Sequence, residues 1–146
     1  MKIREIVELV KEREVPTVSE TSSLEAVMNT MLSFQRSRLV YVVNENKKLT
    51  GTISFDMLVR QILPHKFEPR IHSRKLLEIV TYEIAKEIML KTPVTASEDE
   101  DAEQVLKRMT DANIKEIAIL NSKGKIIIDL TMLDILKFLP DLWKCV

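Results

Sequence analysis

Two residues that could bind a polar ligand stand at the end of an apolar run, in the segment IIIDLTMLDIL, residues 126–136. Thr131 offers a hydroxyl, and Asp134 follows three residues later with a carboxylate. A carboxylate can accept hydrogen bonds from two vicinal hydroxyls, and a hydroxyl at a helix start lies beside free backbone amides. The pair could therefore recognise a nucleoside monophosphate. The alternative interpretation is that Thr131 caps a helix and Asp134 is an acid in its first turn.

The composition argues against several other kinds of chemistry. Lys plus Arg and Asp plus Glu number 22 each, so no overall positive field attracts nucleic acid or an anionic membrane, and only the basic segment 65–75 offers a local one. The two histidines, His65 and His72, have no metal-ligand spacing, and Cys145 is the single cysteine. We find no nucleophile and base pair and no glycine-rich phosphate loop, so we expect no enzyme, no required cofactor and no metal site.

We also expect no membrane segment. No apolar run approaches the length that spans a bilayer, and the charged start MKIREIVELVKERE lacks the apolar core of a signal peptide. A single cysteine fits a reducing compartment. The sequence therefore predicts a cytoplasmic protein.

The chain contains an internal repeat, which shows when residues 17–31 are placed over residues 95–109 at a spacing of 78. Six of the fifteen positions are identical, among them Thr17 and Thr95. At the same spacing Asp56 falls on Asp134, and Leu58 falls on Leu136. We therefore expect two copies of one unit.

Each copy shows the order strand, helix, strand, strand, helix. In copy one, Ser22 and Glu25 predict a capping box at the start of the first helix. Pro64 and Pro140 predict the ends of the last helices. The predicted domains are residues 1–66, a linker at 67–80 and residues 81–146. The predicted fold class is α/β (α+β): two pseudo-symmetric β-α-β-β-α repeats, each with a three-stranded sheet and two helices, packed face to face over a shared core.

With these elements in order, the chain resembles a tandem pair of cystathionine-beta-synthase (CBS) domains, a Bateman module. Glu87-Ile88-Met89 followed by Pro93-Val94-Thr95 matches the start of a CBS repeat, and residues 4–7 with 16–18 form a looser version. The segment IDLTMLD reproduces the Thr-x-x-Asp half of the Gly-x-x-Thr/Ser-x-x-Asp signature that ends the repeat. The resemblance implies a regulatory module whose two repeats form two clefts for AMP, ADP, ATP, S-adenosylmethionine or methylthioadenosine.

The resemblance also assigns roles to residues of copy two. Asp134 would accept hydrogen bonds from the ribose hydroxyls, and Thr131 would contact the phosphate or its equivalent. Thr95 and Ala96 would contact the adenine through backbone atoms and small apolar surface. Two departures matter: Ile128 stands where the family usually has glycine, and strand alternation puts Asp129 on the same face as Thr131. If Asp129 lines the cleft, methylthioadenosine or S-adenosylmethionine fits better than a phosphate.

In copy one the corresponding candidates are Thr17, Val18, Arg38, Ser54 and Asp56. Arg38, like Arg36, flanks the second strand, from which a partner for a phosphate could come. However, Asp56 follows Ser54 by only two residues, so this pair cannot have the geometry of copy two. The resemblance further implies a homodimer that buries helices such as 24–32 or 133–139, and an unidentified downstream protein. The alternative function is a structural, dimerising or protein-interaction module without a bound nucleotide.

Overall fold

The computed structural model describes residues 1–10, 12–34, 37–67 and 83–144, with the main chain only for residues 64–67. The predicted linker from residue 68 to 80, Arg36, His72 and Cys145 lie outside the described residues. The helices are α1 Ile3–Leu9, α2 Leu24–Ser33, α3 Phe55–Phe67, α4 Ala85–Ile88, α5 Ala102–Asp111 and α6 Met132–Lys137, and a 3-10 turn covers Pro140–Leu142. The strands are β1 Thr17–Ser19, β2 Leu39–Val43, β3 Leu49–Ser54, β4 Thr95–Ser97, β5 Glu116–Leu120 and β6 Ile126–Thr131.

These strands form two three-stranded mixed sheets, in the orders β1-β2-β3 and β4-β5-β6. In each sheet the first pair is parallel and the second is an antiparallel hairpin. Two copies of an α+β unit with a three-stranded sheet were predicted, and the fold class is confirmed. Three of the predicted strands, 39–43, 49–54 and 126–131, have the bounds expected from their β-branched and aromatic residues.

The two compact units divide the chain differently from the sequence repeats. The first-sheet unit is residues 16–93, and the second-sheet unit is residues 1–15 together with 94–146. Helix α1 buries Ile3, Ile6 and Val7 in the core of the second-sheet unit. Its start is fixed there by main-chain hydrogen bonds from Ile3 N to Glu100 O, 2.9 Å, and from Ala102 N to Met1 O, 2.8 Å. The core of each unit thus includes a helix from the other half of the sequence, because α4 packs into the core of the first-sheet unit through Ala85.

One face of each sheet forms the hydrophobic core of its unit. In the second-sheet unit these are the inward residues of β4, β5 and β6, which pack with α1, α5 and α6: Ala96, Ile117, Ile119, Ile128 and Leu130. In the first-sheet unit the equivalent face carries Val18, Val40, Val42 and Ile53. Because side chains alternate along a strand, the remaining strand residues lie on the opposite face, which carries the candidate polar residues.

Three local predictions were wrong. The N-cap of α2 is Ser23, whose hydroxyl accepts from Ala26 N at 3.1 Å, whereas the Ser22 hydroxyl accepts from Ser19 N. The third helix continues through Pro64 to Phe67, at the cost of one main-chain hydrogen bond. The spacing between equivalent residues of the two copies was expected to stay at 78, but it changes to 77 after helices α2 and α5. The strand pair Leu39–Ser54 of the first sheet corresponds to Glu116–Thr131 of the second, 77 positions later.

Candidate functional site

The junction of β6 and α6 positions the Thr131 and Asp134 side chains. The Thr131 hydroxyl accepts a hydrogen bond from Asp134 N at 3.1 Å, and Asp134 Oδ2 accepts one from Thr131 N at 2.8 Å. This reciprocal pair is a capping box at the start of α6, so the capping interpretation is confirmed. The carboxylate remains partly open to solvent, with 17% of the Asp134 side chain exposed. Capping therefore fixes the carboxylate while leaving part of it exposed.

Arg13, in the segment between α1 and β1, binds the same carboxylate. Its Nη2 donates to Asp134 Oδ1 at 2.9 Å, its Nη1 donates to Oδ2, and Nη1 also lies 3.3 Å from the Asp129 carbonyl oxygen. Such a bidentate salt bridge between arginine and a carboxylate is among the strongest charge-assisted contacts in proteins. Burial opposes ionisation of Asp134, yet the bonds from Arg13 and from the Thr131 amide hold the pKa of that carboxyl below its usual value. The hydrogen bond to Asp134 likewise raises the pKa of Arg13.

Two further carboxyl groups lie on the same face of this sheet. The register pairs Glu116 with Thr131 and Ala118 with Asp129, so all four residues share the face opposite the core. Glu116 is 7% exposed and Asp129 is 5% exposed. Burial is the main cause that raises the pKa of Asp129 from 3.8 to about 6, and the neighbouring Glu116 is the second. The prediction that Asp129 shares the face of Thr131 is confirmed, and the face is acidic.

The structure separates the two candidates of β4. Thr95 pairs with Ala118 and therefore lies on the acidic face, half-buried, with its carbonyl accepting from Arg108 Nη1 at 2.8 Å. Ala96 is buried in the core cluster on the opposite face. Of these two, only Thr95 presents its side chain on the face of Thr131.

The prediction that Asp56 occupies the position of Asp134 is wrong. Because the sheets are related by a spacing of 77, the counterpart of Thr131 is Ser54 and the counterpart of Asp134 is Met57. The Ser54 hydroxyl accepts from Met57 N at 3.1 Å, as Thr131 does from Asp134 N. Asp56 is an exposed residue in the first turn of α3. The first-sheet unit therefore lacks a carboxylate at this point.

The remaining candidates of copy one do not form one site with shared side-chain contacts among the described residues. Thr17 is exposed and pairs with Tyr41, while Val18 is buried in the core cluster on the other face. Arg38 is exposed, and its carbonyl accepts from Phe55 N at 2.8 Å. A depression of about 490 Å³ lies in this unit and is lined by Met57, Arg60, Gln61, Glu83, Glu87 and Ile88.

Sequence reasoning missed Arg13 and Glu116. Arg13 lies 121 positions before Asp134, and nothing in its local sequence indicates that its segment folds onto β6. Glu116 had a weak signal, because it alternates with Ala118 at the edge of an apolar strand. Arg13 also lines a depression of about 320 Å³ together with Glu8, Leu9, Val10 and Glu12.

The described residues contain neither a metal-binding cluster nor a membrane-spanning helix. No group of three or more His, Cys, Asp or Glu residues there could hold a metal ion. No helix in this part of the chain is long and apolar enough to cross a membrane.

Comparison with known proteins shows one family throughout the chain. The CBS domain family model matches twice, at residues 3–64 and 85–141. An uncharacterized protein of Methanopyrus kandleri is 31% identical over 101 residues, which are 69% of this chain and 46% of that protein, so the chain spans about half the length of this relative.

Solved structures give the same result. A CBS domain-containing protein of Thermotoga maritima is 32% identical with a TM-score of 0.72, and the match covers 100% of this chain and 96% of that one. The CBS domain pair of protein MJ0100, in complex with 5′-methylthioadenosine and S-adenosyl-L-methionine, is 17% identical with a TM-score of 0.69 over 97% and 98% of the chains. CBSX2 in complex with AMP is 14% identical with a TM-score of 0.69 over 88% and 90%. The last two likenesses concern the fold alone, whereas the family model covers most of the sequence, and the chain belongs to the CBS domain family, with two CBS domains.

Proposed function

We propose that this CBS domain pair is a regulatory module that binds an adenosine-containing small molecule at Asp134 and Thr131. The observation that carries the proposal is the Asp134 carboxylate, which the capping box fixes in place while leaving part of it exposed. A fixed carboxylate is the group that accepts hydrogen bonds from a ribose diol. The complexes of MJ0100 with methylthioadenosine and S-adenosylmethionine, and of CBSX2 with AMP, support an adenosine ligand in this fold.

The charge of the site favours one class among these ligands. Glu116 and Asp129 lie on the same sheet face as Thr131, and Asp134, which binds the guanidinium of Arg13, adds a third carboxyl group. A phosphate placed there would meet like charges, which costs free energy at short range. We therefore favour an uncharged or cationic group at the 5′ position, as in methylthioadenosine or S-adenosylmethionine, over AMP, ADP or ATP.

The experiment is a thermal-shift and isothermal titration screen with these five compounds at pH 7.5. A ligand that prefers the native state raises the melting temperature, and at 100 times its Kd the stabilisation is about 2.7 kcal/mol. We expect binding to be lost in Asp134→Ala and retained in the control Asp56→Ala, which removes an exposed carboxylate from the first-sheet unit. Absence of heat with every compound, or equal binding by Asp134→Ala, would refute the proposal.

A second candidate is an interaction module that binds no nucleotide. The observation that favours it is that Arg13 already engages both Asp134 oxygens, while copy one has Met57 in place of the carboxylate. The same thermal-shift screen separates the two candidates. A reproducible rise in melting temperature with one adenosine compound would exclude this second function.

We also propose that the chain forms a homodimer and passes its signal to a downstream protein. Large apolar side chains remain exposed on helices that were expected at a dimer contact, with Leu32 of α2 67% exposed and Leu133 of α6 77% exposed. Burying such surface would stabilise association by about 25 cal/mol per Å². Sedimentation at micromolar concentration should give a dimer mass, and a monomer would contradict this part of the proposal.

A further inference from the structure

We infer that Arg13 occupies the ribose-recognition position of Asp134, so that a ligand must displace its guanidinium and Arg13 thereby sets the affinity of the site. The inference rests on the proposed function and deepens it, because it names the residue with which an adenosine ligand competes. It depends on three observations. They are the acceptor capacity of Asp134, the placement of Arg13, and the main-chain contact that replaces Arg13 at the equivalent edge of β3 in the first-sheet unit.

The acceptor capacity of the carboxylate is nearly exhausted. An ionised carboxylate has about four lone-pair sites. Oδ2 already accepts from Thr131 N at 2.8 Å and from Arg13 Nη1, and Oδ1 accepts from Arg13 Nη2 at 2.9 Å. One site on Oδ1 remains, whereas a ribose diol that binds through both hydroxyls donates two hydrogen bonds. The Asp134 carboxylate therefore cannot bind both hydroxyls of the diol while it holds the bidentate contact with Arg13.

In the second-sheet unit the Arg13 side chain bonds to the main chain of β6 at Asp129, whereas in the first-sheet unit another main-chain segment bonds to the equivalent part of β3. There Thr52, the counterpart of Asp129, is bridged by main-chain hydrogen bonds with Leu90, 2.8 and 3.1 Å long. Gly51 permits this close approach, because a Cβ at that position would come within 2.8 Å of the Leu90 carbonyl oxygen.

In the second-sheet unit the position of Gly51 is taken by Ile128. A side chain there excludes a main-chain bridge of the same kind, and the Asp129 carbonyl accepts from the Arg13 guanidinium at 3.3 Å instead. A main-chain bridge cannot be exchanged for a ligand without unfolding the edge, whereas a long side chain with 31% of its surface exposed can rotate away. Arg13 is therefore a displaceable occupant of the site.

The test compares adenosine with 2′,3′-dideoxyadenosine on the full chain by isothermal titration at pH 7.5. Arg13→Ala removes the competing hydrogen bonds to a charged group, so it should bind adenosine at least about tenfold tighter than the wild type. Dideoxyadenosine lacks the diol and should show no gain. Arg13→Lys keeps the charge but cannot span both oxygens, so its gain should be intermediate, and it serves as the test if Arg13→Ala fails to fold.

Arg4→Ala is the matched control, because Arg4 is an exposed arginine of α1 in the same unit that pairs with Asp99. Its affinity for adenosine should equal that of the wild type. If the wild type binds adenosine and Arg13→Ala binds it equally or less tightly, the inference is overturned and the proposed function stands. If neither protein binds, both fail. An equal gain with dideoxyadenosine would also overturn the inference, since the competition would then not involve the diol.

Discussion

Replacement of Asp129 by asparagine should stabilise the second-sheet unit at neutral pH. Asp129 is 5% exposed, and burial together with Glu116 raises its pKa from 3.8 to about 6. Each unit of pKa corresponds to about 1.4 kcal/mol, so keeping this carboxylate ionised above pH 6 costs the fold roughly 3 kcal/mol. Asparagine has the same shape without the charge. We expect Asp129→Asn to raise the free energy of unfolding at pH 7.5 by up to about 3 kcal/mol.

The sign of the pH dependence follows from the raised pKa. The folded protein binds the Asp129 proton more tightly than the unfolded chain, so this group makes the wild type more stable as the pH falls from about 7 to about 4. Asparagine does not titrate. The stability difference between Asp129→Asn and the wild type should therefore be largest at pH 7.5 and shrink towards pH 4.

Urea denaturation followed by circular dichroism at several pH values between 4 and 7.5 would measure this difference. Taking the difference between two proteins cancels the titration of groups that they share. Asp111→Asn is the control, because Asp111 is an exposed carboxylate at the end of α5, and its replacement should change stability by less than about 0.5 kcal/mol at each pH. A destabilised Asp129→Asn at pH 7.5, or a difference independent of pH, would refute the reasoning.

Three further predictions concern stability and need only urea denaturation. Gly51→Ala should destabilise the first-sheet unit by about 1–3 kcal/mol, because the new Cβ would come within 2.8 Å of the Leu90 carbonyl oxygen; no change would mean that the bridge shifts freely. Lys47→Gly should stabilise by about 1 kcal/mol, because Lys47 has φ 64° at the hairpin position where the other copy has Gly124 with φ 78°, and Gly124→Ala should lose a similar amount. Glu100→Gln should be less stable than the wild type at pH 7, and the difference should shrink as the pH is lowered, because the hydrogen bond from Arg108 lowers the pKa of Glu100 and its stabilisation is lost as the pH falls through that pKa; a difference that does not shrink in acid would contradict this.

Most of the fold could be predicted because its signals are local. Alternation and β-branched residues defined the hairpin strands, and Gly124 marked a turn that does require a positive φ. Local signals also produced the errors. Two adjacent serines both suit a helix cap, and only the structure shows that Ser23, not Ser22, holds α2.

The candidate site was only half predictable, because its partners come from distant parts of the chain. Thr131 and Asp134 are three residues apart, and their capping contact follows from their types and spacing. Arg13 reaches them because α1 folds into the second-sheet unit, a tertiary event that no local pattern encodes. Asp56 was misassigned because one residue fewer separates α5 from β5 than separates α2 from β2, which shifts the repeat spacing from 78 to 77.

The differences between the two copies at this strand edge are physically coupled. Asp129 and Asp134 in the second-sheet unit replace Thr52 and Met57 of the first, adding two carboxyl groups beside Glu116. Such a cluster is unfavourable without a cation, and Arg13 supplies one: its charge lowers the pKa of both aspartates against the effect of burial. A ligand that displaces Arg13 must therefore compensate the same carboxyl groups. Under the proposed function, a cationic sulfonium would do so and a phosphate would not, so the Arg13–Asp134 ion pair favours S-adenosylmethionine over AMP, ADP or ATP.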